Sequence, residues 1–244
     1  LLKLESDYPE FDDENSPTKR VGGKVLDHFE KVKHEFHQWS FDNVFNLNEL
    51  KDWEERNRKI LYKSKANNSF FSYVSELKID GLKVVLTYKN GILVRATTRG
   101  DGEIGEDITD NVRTIKSIPL ILKDKIDITV MGEAWMRKSD LLKINLDQEK
   151  NNLSKYANTR NLAAGTLRQL DTSVVAKRNL KVFAYDTEGG NLKTQIDELF
   201  FLNGDLYKSN ITDQEGYTLD EVIENSEIIG YKEAYEFVQE NKDT

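Results

Sequence analysis

Glu76, Lys78 and Asp80 stand at every second position of Ser75-Glu76-Leu77-Lys78-Ile79-Asp80-Gly81, inside an apolar run that includes Phe70, Phe71, Tyr73 and Val74 before it and Leu82, Val84, Val85 and Leu86 after it. In an extended strand alternate side chains share a face. The spacing therefore predicts an amine and two carboxylates converging at one spot. A lysine partly withdrawn from water there can be unprotonated and nucleophilic. The same residues also fit a hairpin strand with a solvated charged face, and the heptapeptide alone does not separate the two.

Other stretches offer complementary chemistry. Arg99-Gly100-Asp101-Gly102-Glu103-Ile104-Gly105-Glu106-Asp107 is a glycine-rich acidic loop that lets backbone approach a ligand, with Arg99 able to place a planar fork on a phosphate or ribose. A long surface hairpin loop is the plainer reading. Its Arg-Gly-Asp matches an adhesion tripeptide, which carries little weight in a cysteine-free sequence with no secretion signal. Glu133 is the lone carboxylate of Met131-Gly132-Glu133-Ala134-Trp135-Met136. An unpaired buried charge is costly, so Glu133 requires a partner, either a structural arginine or a ligand hydroxyl. The run Asn158 to Asp171 opens a helix on which Arg160 and Arg168 lie about two turns apart on one face. Arginines near a helix start suit phosphate, although an ordinary exposed helix would also carry them.

The elements that must hold these residues are predicted as follows. A short helical piece leads into a linker over 15–23, and residues 27–46 are irregular. A helix runs from Leu47 to Tyr62 with Trp53 inward. Strands cover Ser69–Leu77, Leu82–Tyr88 and Ile92–Thr98, the last two joined by Asn90-Gly91, a strong hairpin signal. Arg99–Asp107 is a loop, Ile108–Ile115 a helix stopped before Pro119, and Ile126–Met136 a strand. Helices follow at Ser139–Lys150 and Arg160–Leu170, then a strand at Leu180–Tyr185 and a mostly helical remainder. The fold class is α+β with mainly antiparallel sheets and flanking helices.

Composition sets bounds. The 244 residues suffice for one large domain or two small ones, with 38% hydrophobic and 32% charged residues. No apolar run approaches the ~20 residues needed to span a membrane, so no membrane partner is expected. There are no cysteines, which excludes disulfides and cysteine zinc sites within these residues and points to a cytoplasmic setting. No metal-ligating set is evident. The net charge of −8 argues against gripping nucleic acid by bulk electrostatics, although a local basic face remains compatible.

Lys-x-Asp-Gly resembles the nucleophile motif of covalent nucleotidyltransferases, in which the lysine takes a nucleoside monophosphate as a phosphoramidate. Ser-Glu-Leu-Lys-Ile-Asp-Gly at 75–81, Thr-Arg-Gly-Asp-Gly at 98–102, Gly-Glu-Asp-Ile-Thr-Asp-Asn at 105–111, Gly-Glu at 132–133, the run 158–171 and Phe-Ala-Tyr at 183–185 together resemble the adenylation domain of NAD-dependent DNA ligases. Ser16-Pro17-Thr18-Lys19-Arg20-Val21-Gly22 is similar to that family's connector. The resemblance covers nearly the whole chain. It implies an ATP-grasp-like nucleotidyltransferase fold, with NAD and Mg²⁺ as cofactors and nicked double-stranded DNA as partner, in replication and repair. By match, Lys78 is the adenylated lysine. Glu76 and Tyr185 hold the adenine, Tyr185 by stacking. Asp80 and Glu133 lie around the ribose and lysine. Arg99, Arg160 and Arg168 handle phosphate and nick sealing. Ser40 and Phe41, in Ser40-Phe41-Asp42-Asn43, lie near the adenosine.

Three departures are mild: Ser75 replaces a common Cys, Thr159 a Pro and Leu162 an Ala. The ends depart more. The resemblance implies that 1–23 is a remnant of the nicotinamide-mononucleotide-binding subdomain and its connector, and that 24–244 is an adenylation domain without its C-terminal motifs. On that expectation the chain is a fragment, or part of a split ligase completed by a second polypeptide. It would bind adenosine without reacting with NAD alone. Two other readings remain: an ATP-dependent ligase or capping-type nucleotidyltransferase, and a non-catalytic adenine-nucleotide-binding subunit needing a partner.

Overall fold

Asn90-Gly91 sets the topology of the central sheet. Both residues adopt positive φ, 50° and 76°, the geometry of a tight two-residue hairpin turn. The computed structural model describes residues 2–11, 16, 28–40, 43–63 and 76–202. Its elements in chain order are α1 (Leu2–Asp7), a 3-10 turn (Pro9–Phe11), β1 (Lys31–Lys33), α2 (Leu47–Lys63), β2 (Leu82–Lys89), β3 (Ile92–Thr98), β4 (Ile104–Glu106), α3 (Thr109–Arg113), β5 (Ile128–Trp135), α4 (Lys138–Lys150), α5 (Thr159–Leu167), α6 (Thr172–Lys177), β6 (Lys181–Gly189) and α7 (Gln195–Phe201). The α+β class with antiparallel sheets and flanking helices holds.

By packing the chain divides into two units. One comprises Leu1–Gln38 with Lys78–Ser209 and Thr244, and the other Trp39–Leu77 with Asn210–Asp243. In the second, α2 carries Trp53 half-buried and is laced on its surface by the pairs Arg58–Glu54 and Lys59–Glu55, one helical turn apart.

The first unit is built on a four-stranded sheet of order β3-β2-β5-β6, antiparallel throughout. Strand alternation sorts its side chains. One face carries Val84, Leu86, Ala96, Val130, Ala134, Val182 and Ala184, all buried. Helices α3, α5 and α7 pack on this sheet, and α6 packs on α3 and α5. They contribute Val112, Leu162, Ala163, Leu167, Val175 and Leu199 to the core. Each large aliphatic side chain so buried contributes ~1.5–3 kcal/mol. Asn111 ties the layer together, its amide donating to the carbonyls of Leu167 and Gln169 at 2.7 and 2.8 Å.

The opposite face is polar and more open. Lys83, Val85 and Thr87 of β2 stand on it, with Glu133, Met131 and Thr129 directly across on β5. Thr97 and Arg95 of β3 continue the rows. The segment after β1 faces one end of it, enclosing a cavity of about 180 Å³ against Val85, Thr87, Thr97 and Thr129.

Several sequence expectations need correction. The irregular stretch 27–46 contains β1, and the loop 99–107 contains β4; the two pair as a small separate sheet. Helix α6 and the extension of β6 beyond Tyr185 are additional. α5 ends at Leu167 rather than Leu170. Of the strand expected at 69–77, residues 69–75 lie outside the described residues, and Glu76 and Leu77 belong to no strand. Most of the linker 15–23 and of the remainder after Leu202 likewise lie outside them.

Candidate active site

The residues leading into β2 keep the alternation that their spacing predicts without forming a ladder. Lys78 and Asp80 are exposed and Ile79 is half-buried. The lysine is thus less withdrawn from water than expected, and among the described residues no strand pairs with the stretch that carries it. Gly81 then passes so close to β5 that a Cβ there would lie 2.1 Å from the Ala134 carbonyl oxygen and 3.0 Å from Glu133 Cγ. Only glycine allows this approach. It delivers Lys78 and Asp80 to the end of β5 where Glu133 stands.

Glu133 is the centre of the site. Burial raises its affinity for a proton above the usual carboxylate level. Opposing that are the charge of Lys78, a hydrogen bond from the Gly81 backbone N–H and the charge of Arg160, while Asp80 reinforces the rise. Lys78, Asp80, Glu133 and Arg160 therefore share one electrostatic environment. Arg160 enters from the first turn of α5, where Asn158 caps the helix by accepting from the Asn161 N–H at 2.7 Å. Its Nη1 lies 3.1 Å from Asp80 Oδ1, across 80 residues of sequence, with 62% and 70% of the two side chains exposed. An ion pair that exposed is worth ~0.2–1 kcal/mol, so a bound anion can compete for the arginine at little cost.

Arg99 follows β3 and is held by main chain. Its Nε donates to the Gln38 carbonyl at 3.2 Å, and His34 Nε2 donates to the Arg99 carbonyl at 3.1 Å. The turn after it is fixed by Asp101, whose carboxylate accepts from the N–H groups of Glu103 and Ile104 at 2.9 and 2.8 Å. Arg168, expected to share a face with Arg160, caps the C-terminus of α5 and reaches Glu106 of β4 at 3.1 Å.

Tyr185 gains its placement from an irregularity. Ala184 pairs with Gly132 and Asp186 with Met131, so Tyr185 is an extra residue in β6. This β-bulge turns Tyr185 and Asp186 together toward the open face and leaves both half-buried. Ser40 and Glu76 are exposed residues of the other unit, and Phe41 lies outside the described residues.

Four residues near the site were not singled out from sequence. Lys83 sits opposite Glu133 in the ladder. It was findable by the logic applied to Glu133, as a charge inside an apolar strand. Asp186 and Glu198 form a carboxyl pair, and Glu106 holds Arg168. Burial and the neighbouring Asp186 push Glu198 up to about 7, although it accepts from the Thr187 N–H at 2.9 Å. An acid whose folded-state affinity for protons exceeds its ordinary value of 4.5 stabilises the fold fully below that value and loses the contribution as pH rises through about 7. Glu198→Gln is therefore expected to flatten the decline in stability between pH 5 and 8, measured by urea unfolding at both pH values. An unchanged slope would show that Glu198 ionises freely in the fold.

No group of three or more His, Asp or Glu arranged to hold a metal occurs among the described residues. No helix among them is long and apolar enough to cross a membrane.

Residues 26–238 match the family model described as the NAD-dependent DNA ligase adenylation domain. The chain is 46% identical over 230 residues to a DNA ligase of Shouchella clausii, covering 93% of this chain and 33% of that protein. It is 48% identical over 205 residues to a DNA ligase of Acholeplasma laidlawii, covering 83% and 30%, and 48% identical over 213 residues to one of Thermosipho africanus, covering 86% and 31%. It thus spans about a third of the length of the curated relatives it matches. With a lysine presented by a glycine-hinged turn beside a half-buried glutamate and a helix-borne arginine, and with the family model matched over most of its length, this chain belongs to the NAD-dependent DNA ligase adenylation-domain family.

Proposed function

We propose that the chain forms the adenylate of an NAD-dependent DNA ligase. The observation that carries this reading is the convergence of Lys78, Asp80 and Arg160 on Glu133. Lys78 Nζ attacks the adenylyl phosphorus of NAD. A P–N bond forms, the P–O bond to nicotinamide mononucleotide breaks with its electron pair leaving on that phosphate, and the amine gives up a proton. AMP then passes to the 5′-phosphate at a nick in double-stranded DNA, and the 3′-hydroxyl displaces it. Such transfers need a positioned nucleophile and cations on the phosphates.

Each residue has a part in this. The nucleotide itself covers the exposed Lys78 and removes water from it. Glu133 and Asp80 face the ribose and the lysine. Arg160 and Arg99 meet phosphate, and Arg168 serves sealing. Tyr185 stacks on adenine, with Glu76, Ser40 and Phe41 contacting the adenosine. Mg²⁺ fits as an ion held largely by phosphate oxygens and water, the usual habit of that ion, since the described residues offer no cluster of three ligands. When bound it neutralises phosphoryl charge. The two-part division into 1–23 and 24–244, and a second polypeptide as partner, belong to the same proposal. The reaction belongs in the cytoplasm, where NAD and DNA meet.

The test grafts this chain in place of the matching region of the Shouchella clausii ligase. NAD, and not ATP, is expected to leave one adenylyl group on the protein and to support sealing of a nicked duplex. Reaction with ATP alone would point to the other nucleotidyltransferases. Tyr185→Ala is expected to weaken adenosine binding by ~1–3 kcal/mol, by the scale of base–aromatic stacking, and Tyr185→Phe to change it little. Equal losses in calorimetric titrations of the two variants would assign the contact to the hydroxyl.

A further inference from the structure

Lys83 interrupts the apolar stretch of β2 on the open face of the sheet, half-buried and directly opposite Glu133. One strand beyond, the bulge in β6 brings Asp186 onto the same face, opposite Met131, two residues along β5 from Glu133. Arg99 emerges from the end of β3 on the other side. The ammonium is thus bracketed by two carboxylates and a guanidinium. Burial, the largest influence, drives it toward releasing its proton and Arg99 adds to that, while Asp186 and Glu133 hold the proton on. Asp186 is in turn hydrogen-bonded to Glu198 at the start of α7. Without the ammonium, Glu133, Asp186 and Asp80 would leave an excess of negative charge around a half-buried carboxylate, which favours protonation of Glu133 and removes the cation that stands between the carboxylates.

We propose that Lys83 is a positioning residue for the adenosine half of the substrate, its ammonium holding the Glu133 carboxylate and the Tyr185–Asp186 bulge in a single arrangement. The proposal rests on the adenine-nucleotide reading above. Lys83 acts through its neighbours rather than on phosphate. Its loss therefore weakens a ligand with a phosphate and one without it alike, and the loss depends on Asp186.

The test measures dissociation constants of AMP and of adenosine for this chain by calorimetry, with thermal unfolding of every variant as the check on folding. Lys83→Met is expected to weaken both ligands about tenfold, and Lys83→Arg to stay within about threefold. Asp186→Asn weakens both about fivefold, and adding it to Lys83→Met costs nothing further, because the two residues act as one unit. If Lys83→Met does not fold, Lys83→Gln and Asp186→Asn carry the comparison. Binding by Lys83→Met within about twofold of the parent, while Glu133→Gln weakens both ligands, overturns the role of Lys83 and leaves the nucleotide reading standing. A loss confined to AMP assigns Lys83 to direct phosphate contact and overturns positioning. Equal losses in the Met and Arg variants, or additive losses with Asp186→Asn, assign it to packing and also overturn the proposal. Failure of the parent chain to bind either ligand sinks the nucleotide reading and the proposal with it.

Discussion

Lys78→Ala should abolish adenylation of the grafted ligase while leaving the fold intact. Lys78 is exposed and precedes β2, so its removal opens no cavity and breaks no ladder. What is lost is the only atom proposed to bond to phosphorus. Removing the nucleophile of a covalent enzyme costs about 10⁵-fold or more in rate. Intact-mass measurement after incubation with NAD and Mg²⁺ should show the adenylyl adduct on the parent and none on the variant, with equal unfolding temperatures. An adduct on the alanine variant would locate the chemistry elsewhere.

Gly81→Ala should damage both stability and activity, for a reason unrelated to chemistry. The new methyl would sit 2.1 Å from the Ala134 carbonyl oxygen and 3.0 Å from Glu133 Cγ. The first neighbour is backbone in a central strand and cannot rotate away. Either β5 moves and takes Glu133 with it, or the turn moves and takes Lys78. Overpacking of this kind costs ~3 kcal/mol, a drop of roughly 6–12 °C in Tm for a domain of this size. Calorimetric scanning together with the adduct assay checks both. A variant of unchanged Tm and activity would mean that the approach of Gly81 to β5 is looser than described.

The sequence revealed most where one local signal suffices. Asn90-Gly91 set the hairpin, and β3 runs over the expected Ile92–Thr98. The motifs led to Lys78, Asp80, Glu133 and Arg160, which the structure brings together although they come from distant segments. What escaped notice depends on partners. β1 and β4 are three residues each and exist because they pair with one another. α6 is too short for helical periodicity to declare it, although Asp171, which caps it by accepting from the Ser173 N–H at 2.8 Å, was a usable sign. β6 seemed to end at Tyr185 because the bulge breaks the two-residue rhythm there. Asp186 and Glu198 act on one another through space, and no spacing along the chain announces them, whereas Lys83 stood in view as a charge inside an apolar strand. Arg168 was expected beside Arg160, but the helix that would have carried it ends one residue earlier, turning it toward Glu106.

That break in rhythm will show in how β6 tolerates change. Before the bulge the even-numbered positions Val182 and Ala184 are buried, and after it the buried position is the odd-numbered Thr187. A library of all substitutions along Lys181–Glu188 should therefore read as two out-of-phase combs, each intolerant tooth falling on alternate residues until Tyr185 and then slipping by one. Loss of one residue at the bulge would join the combs into a single phase. The strand could then still pair along its length, with Thr187 and the residues beyond it on their present sides of the sheet, but the open side would lose one of the two adjacent side chains that the bulge places there together. The length of this short segment is accordingly as constrained as its composition. Insertions and deletions at Tyr185–Asp186 should be rarer among functional variants than substitutions at the same two positions.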